Sequence, residues 1–249
     1  MSGAGESKVP EVTLGFWLVK ILATTLGETA GDTVSMSMDL GYLVGTAIFL
    51  LPLALLVWAQ IAAARFRPWL YWATIIASTT AGTTMADFAT RSLGIGYAGG
   101  SLLLLGCVGA SLLAWRGLLG SIAVASVRTR RAEGFYWLTI TFSQTLGTAL
   151  GDWTADTGDM GYLRAAALFA VGLAVLAVLY RLSRVSRTAL FWAAFVLTRP
   201  LGAAVGDFLD KPLAKGGLDL SRPLASLVLL AAIVALVALI PQRPAQAGH

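Results

Sequence analysis

The sequence predicts an all-α membrane protein built from four tandem repeats of two helices each, and three observations carry that prediction. Of the 249 residues, 57% are hydrophobic and 12% are charged, and the mean hydropathy is +0.77. Apolar runs of about 20 residues, the length needed to cross a bilayer core of about 30 Å, recur along the whole chain. A tryptophan, an aspartate and several small residues also recur at one spacing four times. Together these features exclude an ordinary soluble domain.

The repeat is defined by offsets from a tryptophan. From Trp17, small residues occupy offsets +10, +14 and +24, and an aspartate occupies +15. The same pattern starts at Trp72, Trp137 and Trp192. The aspartates are Asp32, Asp87, Asp152 and Asp207, and the last glycines are Gly41, Gly96, Gly161 and Gly216. The paired small residues are Gly27 and Gly31, Gly82 and Ala86, Gly147 and Gly151, and Gly202 and Gly206. Because this spacing lets helices approach closely, we expect the four motif-bearing helices to pack together.

Eight membrane spans are expected, one motif-bearing and one plain span in each repeat. Each repeat is therefore predicted to be a helical hairpin, whose plain apolar helix faces lipid or serves as packing scaffold. In chain order the spans cover residues 12–35, 41–63, 69–90, 97–116, 134–155, 161–182, 188–209 and 222–241.

The tryptophan spacing divides the chain into two halves. Successive tryptophans are 55, 65 and 55 residues apart, and the ten extra residues follow the fourth span. We therefore expect a first half at 1–120, a linker at 121–133 and a second half at 134–249. Repeats one and three share the pattern G-D-x-x-x-x-x-x-D-x-G-Y-L, whereas repeats two and four share Asp-Phe followed by Arg91 or Lys211. Since a hairpin crosses the membrane twice, the halves should be related by a parallel pseudo-two-fold axis along the membrane normal.

The distribution of basic residues predicts the orientation. Loops after the even-numbered spans carry Arg65, Arg67, Arg116, Arg128, Arg130, Arg131, Arg181, Arg184, Arg187 and Arg243. The opposite loops carry Asp39, Asp156, Asp159, Asp210 and Asp219, together with Arg91, Lys211, Lys215 and Arg222. Cytoplasmic loops are rich in lysine and arginine, so both termini are expected in the cytoplasm. The net charge of +5 is thus explained by membrane orientation, and the expected partner is a lipid bilayer, with no nucleic acid.

Three stretches carry a resemblance to a known family. They are VPEVTLGFWLVKILATTLGETAGD near the start, the basic stretch before FYWLTI, and LTRPLGAAVGD in the last repeat. The sequence resembles an uncharacterised family of bacterial inner-membrane proteins with four tandem repeats, each of two membrane helices and a tryptophan. The resemblance covers essentially the whole chain. It implies the fold and the inner (cytoplasmic) membrane location, but it implies no activity.

Charged residues inside the apolar spans are the candidate functional residues. A carboxylate in hydrocarbon costs several kcal/mol, so such residues usually face a protein interior or water. Glu28 lies about 18 Å along its helix from Phe16, just beyond the expected midplane. Its repeat equivalents are Thr83, Thr148 and Ala203, so the acid breaks the repeat symmetry. Arg199 occupies the offset that holds Thr24, Thr79 and Gln144 in the other repeats.

The predicted site combines a polar stripe with the repeated aspartates. Lys20, Thr24, Glu28 and Gly31 follow at intervals of four, four and three and share one helix face. The predicted ion pathway consists of Glu28, Asp32, Asp152, Asp87, Asp207, Thr24 and Gln144, with Lys20 and Arg199 as counter-ions. Two alternatives stay open. The aspartates can lie at outer helix ends, solvated or bonded to nearby backbone, as a structural feature of the repeat. The charges of Glu28, Arg199 and Lys20 can form a buried ion-pair network that only orders the bundle.

These residues favour a small secondary transporter or channel for a hard cation or a proton-coupled solute. Carboxylates, hydroxyls and amides suit hard cations or protons, and Glu28 and Asp32 would hold any metal ion. A soft metal site is not expected, because the chain has one cysteine, Cys107, and one histidine, His249. No cofactor is expected. Lys20 and Arg199 could instead bind an anionic substrate.

The alternative function is a non-transporting membrane sensor, accessory subunit or assembly factor whose buried charges are structural. An enzyme is not expected, because the sequence has no G-x-S-x-G, no H-E-x-x-H and no histidine base. A hydrated path lined by Glu28 and the aspartates would favour transport, whereas a dry and fully paired cluster would favour the structural alternative.

Overall fold

The computed structural model describes residues 6–156 and 160–246. Each predicted span corresponds to one long helix in this part of the chain. The helices are α1 (Leu14–Asp32), α2 (Gly41–Ala62), α3 (Pro68–Asp87), α4 (Gly96–Leu119), α5 (Arg130–Asp156), α6 (Gly161–Leu182), α7 (Arg187–Asp210) and α8 (Arg222–Leu239). The all-α fold with four tandem repeats is therefore confirmed. Asp159, which contributes to the pattern shared by repeats one and three, lies outside the described residues.

Local sequence accounts for the helix ends. The hydroxyl of Thr13 accepts a hydrogen bond from the Phe16 amide at the start of α1, and Pro68 opens α3. The glycines at offset +24 have positive φ angles of 74°, 72°, 69° and 80°. Only glycine adopts this conformation without steric cost, so these residues reverse the chain between the two helices of each repeat. The recurrence of glycine at offset +24 is thus explained by the geometry of the turn. The residues are Gly41, Gly96, Gly161 and Gly216.

Two motif-bearing helices continue into π-helical turns. α1 is followed by Thr33–Ser37 and α3 by Phe88–Ser92, in each case directly after the repeated aspartate. A π-helical turn changes the angular position of the residues that follow it. Arg91 lies in the second of these turns.

The four motif-bearing helices form a closed ring. α1 packs against α3, α3 against α5, α5 against α7, and α7 against α1. Repeats one and three therefore lie across the ring from each other, as do repeats two and four. This order agrees with parallel repeats around a common axis. It also means that one face of every motif-bearing helix points into the centre.

Glycine allows the ring helices to touch. A Cβ atom built on Gly27 would lie 2.9 Å from the carbonyl carbon of Thr79, closer than real Cβ contacts. The equivalent glycines meet the next helix of the ring at the same offset, +7. Gly82 meets Gln144, Gly147 meets Arg199, and Gly202 meets Thr24. The contact from repeat four back to repeat one closes the cycle. The second small residues also approach the next helix, with Gly31 on Thr83, Gly151 on Ala203 and Gly206 on Glu28.

The plain helices surround the ring, and each covers the next repeat. α2 packs along α3, α4 along α5, α6 along α7, and α8 along α1. The hairpin is therefore a unit of sequence, while the main packing partner of its plain helix belongs to the following repeat. The contact of α8 with α1 closes this outer layer as well.

Over residues 6–156 and 160–246, five helices are long and apolar enough to cross a membrane: α2, α4, α6, α7 and α8. The remaining long helices, α1, α3 and α5, bury threonines and charged residues in the ring. Large apolar side chains instead face outward on the surrounding helices, for example Leu51, Leu113 and Leu182. A polar centre with an apolar surface suits a hydrocarbon environment, so the architecture indicates a membrane protein.

The connection between the halves is shorter than the predicted linker. α4 ends at Leu119 and α5 begins at Arg130, so the predicted linker at 121–133 includes the first turn of α5. Thr129 accounts for the earlier start, because its hydroxyl accepts a hydrogen bond from the amide of Ala132. Within this connection, Val124–Ser126 forms a single 3₁₀ turn.

Aromatic side chains fill one end of the ring, which we call the aromatic end. The residue before each repeat tryptophan is aromatic and buried: Phe16, Tyr71, Tyr136 and Phe191. The hydroxyls of Tyr71 and Tyr136 lie 2.6 Å apart across this layer. The opposite end carries the four repeated aspartates, and we call it the aspartate end.

Candidate functional site

The centre of the ring is a stack of four layers. Offsets +3, +7, +11 and +15 from each tryptophan share one helix face, so each offset contributes four side chains to one layer. All of these residues are at most 3% exposed. From the aromatic end, the layers are Lys20, Ile75, Ile140 and Phe195; Thr24, Thr79, Gln144 and Arg199; Glu28, Thr83, Thr148 and Ala203; and Asp32, Asp87, Asp152 and Asp207.

Arg199 and Glu28 pair in the middle of the stack. Both terminal nitrogens of Arg199 lie 3.1 Å from Glu28 Oε2. The same guanidinium donates hydrogen bonds to the hydroxyls of Thr83 and Thr148. Arg199 thus connects its own helix to those of the other three repeats. Charge-assisted hydrogen bonds of this kind are the strong ones in a buried setting.

Two basic residues bridge the four aspartates in pairs. Arg91 Nε lies 3.0 Å from Asp87 Oδ1, and Arg91 Nη2 lies 2.9 Å from Asp152 Oδ2. Lys211 Nζ lies 2.9 Å from Asp207 Oδ1 and also contacts Asp32. Arg91 therefore joins repeats two and three, and Lys211 joins repeats four and one. The shared Asp-Phe pattern with its following base produces this two-fold arrangement.

The repeated aspartates are buried, so the alternative of solvated helix ends does not describe them. Asp32 is 0% exposed and Asp87 is 1% exposed. Burial disfavours the charge on Lys211, but the carboxylates of Asp207, Asp32 and Asp210 outweigh it and raise the pKa of Lys211 above its ordinary value. The ammonium group consequently keeps its proton at neutral pH.

A further acid and base, absent from the predicted site, join the cluster in repeat four. Arg222 Nε lies 2.9 Å from Asp210 Oδ2 and 4.0 Å from Asp32 Oδ2. Asp210 is 4% exposed. The only sequence signal for this pair is its closeness to the repeat motif, because no other repeat has an acid and a base at these offsets.

Negative charge exceeds positive charge in this cluster. In the part of the chain that the structure describes, six carboxylates are buried together: Glu28, Asp32, Asp87, Asp152, Asp207 and Asp210. Four basic side chains there contact them: Arg91, Arg199, Lys211 and Arg222. Six formal negative charges against these four contacting positive ones leave an excess of two, without Lys20, which contacts Thr198 and none of the six carboxylates. Such an excess is expensive inside a protein unless protons or cations neutralise it.

One group of carboxylates is close enough to share an ion. Glu28, Asp32 and Asp207 each offer an oxygen, and these oxygens lie within 4.8 Å of one another. Asp32 Oδ1 is buried and has no hydrogen-bond partner within the described residues. Carboxylate oxygens are the ligands that hard cations such as Ca²⁺ prefer.

An open cavity of about 660 Å³ lies at the aspartate end, and we call it the vestibule. Its wall includes Met36, Tyr97, Asp156, Tyr162, Lys215 and Arg222. Arg91 and Lys211 also line it, and both contact the buried aspartates on their other side. Together with Arg222, these two bases therefore separate the vestibule from the carboxylates.

Lys20 does not serve as the predicted counter-ion. Within 4.0 Å of its ammonium group there is no carboxylate among the described residues, and Arg199 alone pairs with Glu28. Lys20 Nζ instead donates to the Thr198 hydroxyl at 3.0 Å and lies 3.8 Å from the centroid of the Phe195 ring. Lys20 does not reach the Glu28 carboxylate because Glu28 lies two layers closer to the aspartate end on the same helix.

Thr24 and Gln144 lie in the same layer but differ in their contacts. The Thr24 hydroxyl donates to the Thr198 carbonyl at 3.2 Å, and its equivalent Thr79 donates to the Ala23 carbonyl at 3.1 Å. These bonds hold adjacent ring helices together. The side-chain amide of Gln144 is buried, and neither its nitrogen nor its oxygen has a partner within the described residues.

The comparisons with known proteins agree with the repeat structure. No curated protein and no solved structure is significantly similar to the chain. A family model described as Repeat of Unknown Function (DUF347) matches residues 15–66, 70–118, 135–186 and 190–240. Each match covers one ring helix and the plain helix that follows it. The chain therefore belongs to the DUF347 repeat family and carries four tandem copies of the repeat.

Proposed function

We propose that the protein is a small secondary transporter or channel that moves a hard cation, or a solute coupled to protons, through the central carboxylate cluster. The observation that carries the proposal is the charge excess, since six buried carboxylates meet four basic side chains next to an open vestibule. Two protons or an equivalent positive charge would neutralise the cluster. A cluster that must take up positive charge suits cation exchange better than a permanently paired network does.

In this proposal Lys211 and Arg91 act as tethered cations. Each bridges a pair of aspartates and faces the vestibule, so an arriving cation competes with them for the same oxygens. Glu28 would be the exchanging acid, with Asp32, Asp152, Asp87 and Asp207 as further ligands. Arg199 would then balance the charge of Glu28 whenever no cation is bound.

The proposed location is the bacterial inner membrane, with both termini in the cytoplasm. The segments before α1 and after α8 meet at the aromatic end, as an even number of crossings requires. Arginines cluster at that end, which makes it the cytoplasmic end by the distribution of positive charge. The vestibule would then open to the periplasm.

The alternative is a non-transporting sensor, accessory or assembly protein. The observation that favours it is the tight Glu28–Arg199 pair, whose side chains are 3% and 0% exposed. A buried pair can order a bundle without any exchange. An enzymatic role is not proposed.

Flux into proteoliposomes tests the proposal. Purified protein is reconstituted and assayed against a panel of monovalent and divalent cations, with a pH-sensitive dye inside the vesicles. We expect flux of at least one cation, or cation-driven proton movement, in the wild type. Asp32→Asn should lose it, because Asp32 supplies an unpartnered buried oxygen. The control Asp219→Asn removes an exposed acid from the same end. Equal flux in Asp32→Asn and wild type, or no flux in either, contradicts the proposal.

A further inference from the structure

Two short segments outside the helices pair with each other at the aromatic end. Residues 7–11 precede α1 and residues 242–245 follow α8, and we call them the clasp. The Ala245 amide donates to the Val9 carbonyl and the Glu11 amide donates to the Arg243 carbonyl, both at 2.8 Å. Pro10 and Pro244 form the antiparallel bridge between these bonds. The clasp thus joins repeat one to repeat four directly.

The clasp is buried to an extent unusual for a segment outside the helices. Ser7 is 0% exposed, Lys8 8% and Val9 1%. The Ser7 hydroxyl donates to the Val124 carbonyl at 2.8 Å, and the Lys8 amide donates to the Val127 carbonyl at 3.3 Å. Both acceptors belong to the connection between the two halves. Val9 packs in the same apolar core as the aromatic layer.

Lys8 ties the clasp to two different repeats. Its ammonium lies 2.8 Å from Glu133 Oε1, in the first turn of α5. It also donates to the carbonyls of Gln60 and Ile61 at 3.3 and 3.2 Å, at the end of α2. Helix C-termini attract cations, so the carbonyls at the end of α2 suit the lysine side chain. The Gln60 amide donates in return to the Lys8 carbonyl at 3.2 Å.

The clasp also contacts the buried aromatic residues that fill this end of the ring, which we call the aromatic layer. The indole of Trp72 donates to Gln242 Oε1 at 3.0 Å. Beyond Trp72 the layer continues with Tyr71 and Tyr136, whose hydroxyls meet. The clasp thus packs on the aromatic residues that fill this end of the ring. The aspartate end, by contrast, opens directly into the vestibule.

We propose that the clasp is the gate of the aromatic end and that the Lys8–Glu133 ion pair holds it shut. This rests on the proposed function, because a gate presupposes passage. The ring helices are locked together by glycine contacts, whereas the clasp lies outside the eight helices and is attached to them by hydrogen bonds and one ion pair. The clasp can therefore detach while the contacts between the ring helices stay intact.

Thiol labelling tests the gate directly. Val9→Cys in a Cys107→Ala background places a single thiol on the buried side of the clasp itself, and Arg130→Cys provides an exposed reference. We expect slow labelling of Val9→Cys by a soluble maleimide in the full-length protein. Adding Lys8→Gln or Glu133→Gln should accelerate it roughly tenfold, because a charged contact is lost. Lys8→Arg should stay slow, and Arg131→Gln removes an exposed charge from the same helix turn as a control.

Flux separates this proposal from the one on which it rests. In proteoliposomes, Lys8→Gln should raise the wild-type flux and Arg131→Gln should not. If the wild type carries flux and Lys8→Gln changes neither labelling nor flux, the gate is refuted while transport stands. If labelling accelerates equally in Arg131→Gln, the ion pair is not what holds the clasp. If the wild type carries no flux, the transport proposal fails and the gate fails with it.

Discussion

At the scale of single residues, the Glu28–Arg199 pair separates a structural role from a functional one. Arg199→Leu leaves the Glu28 carboxylate buried at 2% exposure without its cation. Breaking one side of a buried pair costs roughly 3–5 kcal/mol, so the free energy of unfolding should fall by about that amount. Adding Glu28→Gln removes the orphaned charge and should restore part of the loss. Thermal unfolding in detergent measures both, and Arg164→Leu, at an exposed arginine of α6, is the control.

Activity should respond differently from stability at this pair. If Glu28 is the exchanging acid, Glu28→Gln abolishes flux, and the double variant stays inactive although it folds well. If the pair is only structural, the double variant recovers both stability and activity. Normal transport by Glu28→Gln would show that Glu28 is not the central acid.

At the scale of helices, glycine packing gives a prediction with a matched control. A methyl group at Gly27 would press on Thr79 of the next ring helix, including its backbone. Overpacking of this kind typically costs about 1–3 kcal/mol, so Gly27→Ala should lower the unfolding free energy by that order. Gly106→Ala, in the middle of α4, meets nothing within 4 Å and should be neutral or slightly stabilising. Equal melting temperatures for the two variants would contradict the close contact of the ring helices.

The same scale shows what the sequence predicts and why. The helices agree with the predicted spans to within a few residues, because repeated apolar runs and turn glycines mark their ends locally. The close contacts at Gly82 and Gly202 follow from the repeat spacing for the same reason. The packing of each plain helix on the following repeat was not predictable, because similar repeats present similar packing surfaces to a plain helix. The order of the repeats in the closed ring decides which of these surfaces each plain helix covers.

The candidate-site residues at the motif offsets could be predicted from the sequence, and those at other positions could not. Glu28 and Arg199 stand out because they replace small or neutral residues at their offsets. Asp210 and Arg222 have no such signal, although they pair at 2.9 Å. Lys20 shares a helix face with Glu28 but contacts Thr198 and Phe195, because helix spacing fixes the face of a residue and not its partner. The clasp contact between Lys8 and Glu133 joins residues far apart in an aperiodic segment, which no local pattern reveals.

At the scale of the whole molecule, the symmetry of the four repeats changes from layer to layer along the axis of the ring. The contacts of the +10 glycines repeat around the ring, and the aspartate layer keeps only the two-fold pairing by Arg91 and Lys211. The two layers next to the aspartates, at offsets +11 and +7, contain Glu28 and Arg199, and each of these residues has no charged equivalent in the other repeats. Duplication thus supplies the frame, and single replacements at its centre supply the charges that distinguish one repeat from another.

Orientation in the membrane is the remaining whole-molecule prediction. Arg130 and Lys215 are both exposed and lie at opposite ends of the ring, Arg130 beside the clasp and Lys215 in the vestibule wall. Because arginines cluster at the aromatic end, Arg130 should face the cytoplasm and Lys215 the periplasm. Single cysteines at these positions, in a Cys107→Ala background, are treated with a membrane-impermeant maleimide on intact cells. We expect Lys215→Cys to react and Arg130→Cys to react only after lysis. Reaction of both on intact cells would contradict the three crossings expected between these positions, those of α5, α6 and α7, and the reverse pattern would place the vestibule in the cytoplasm.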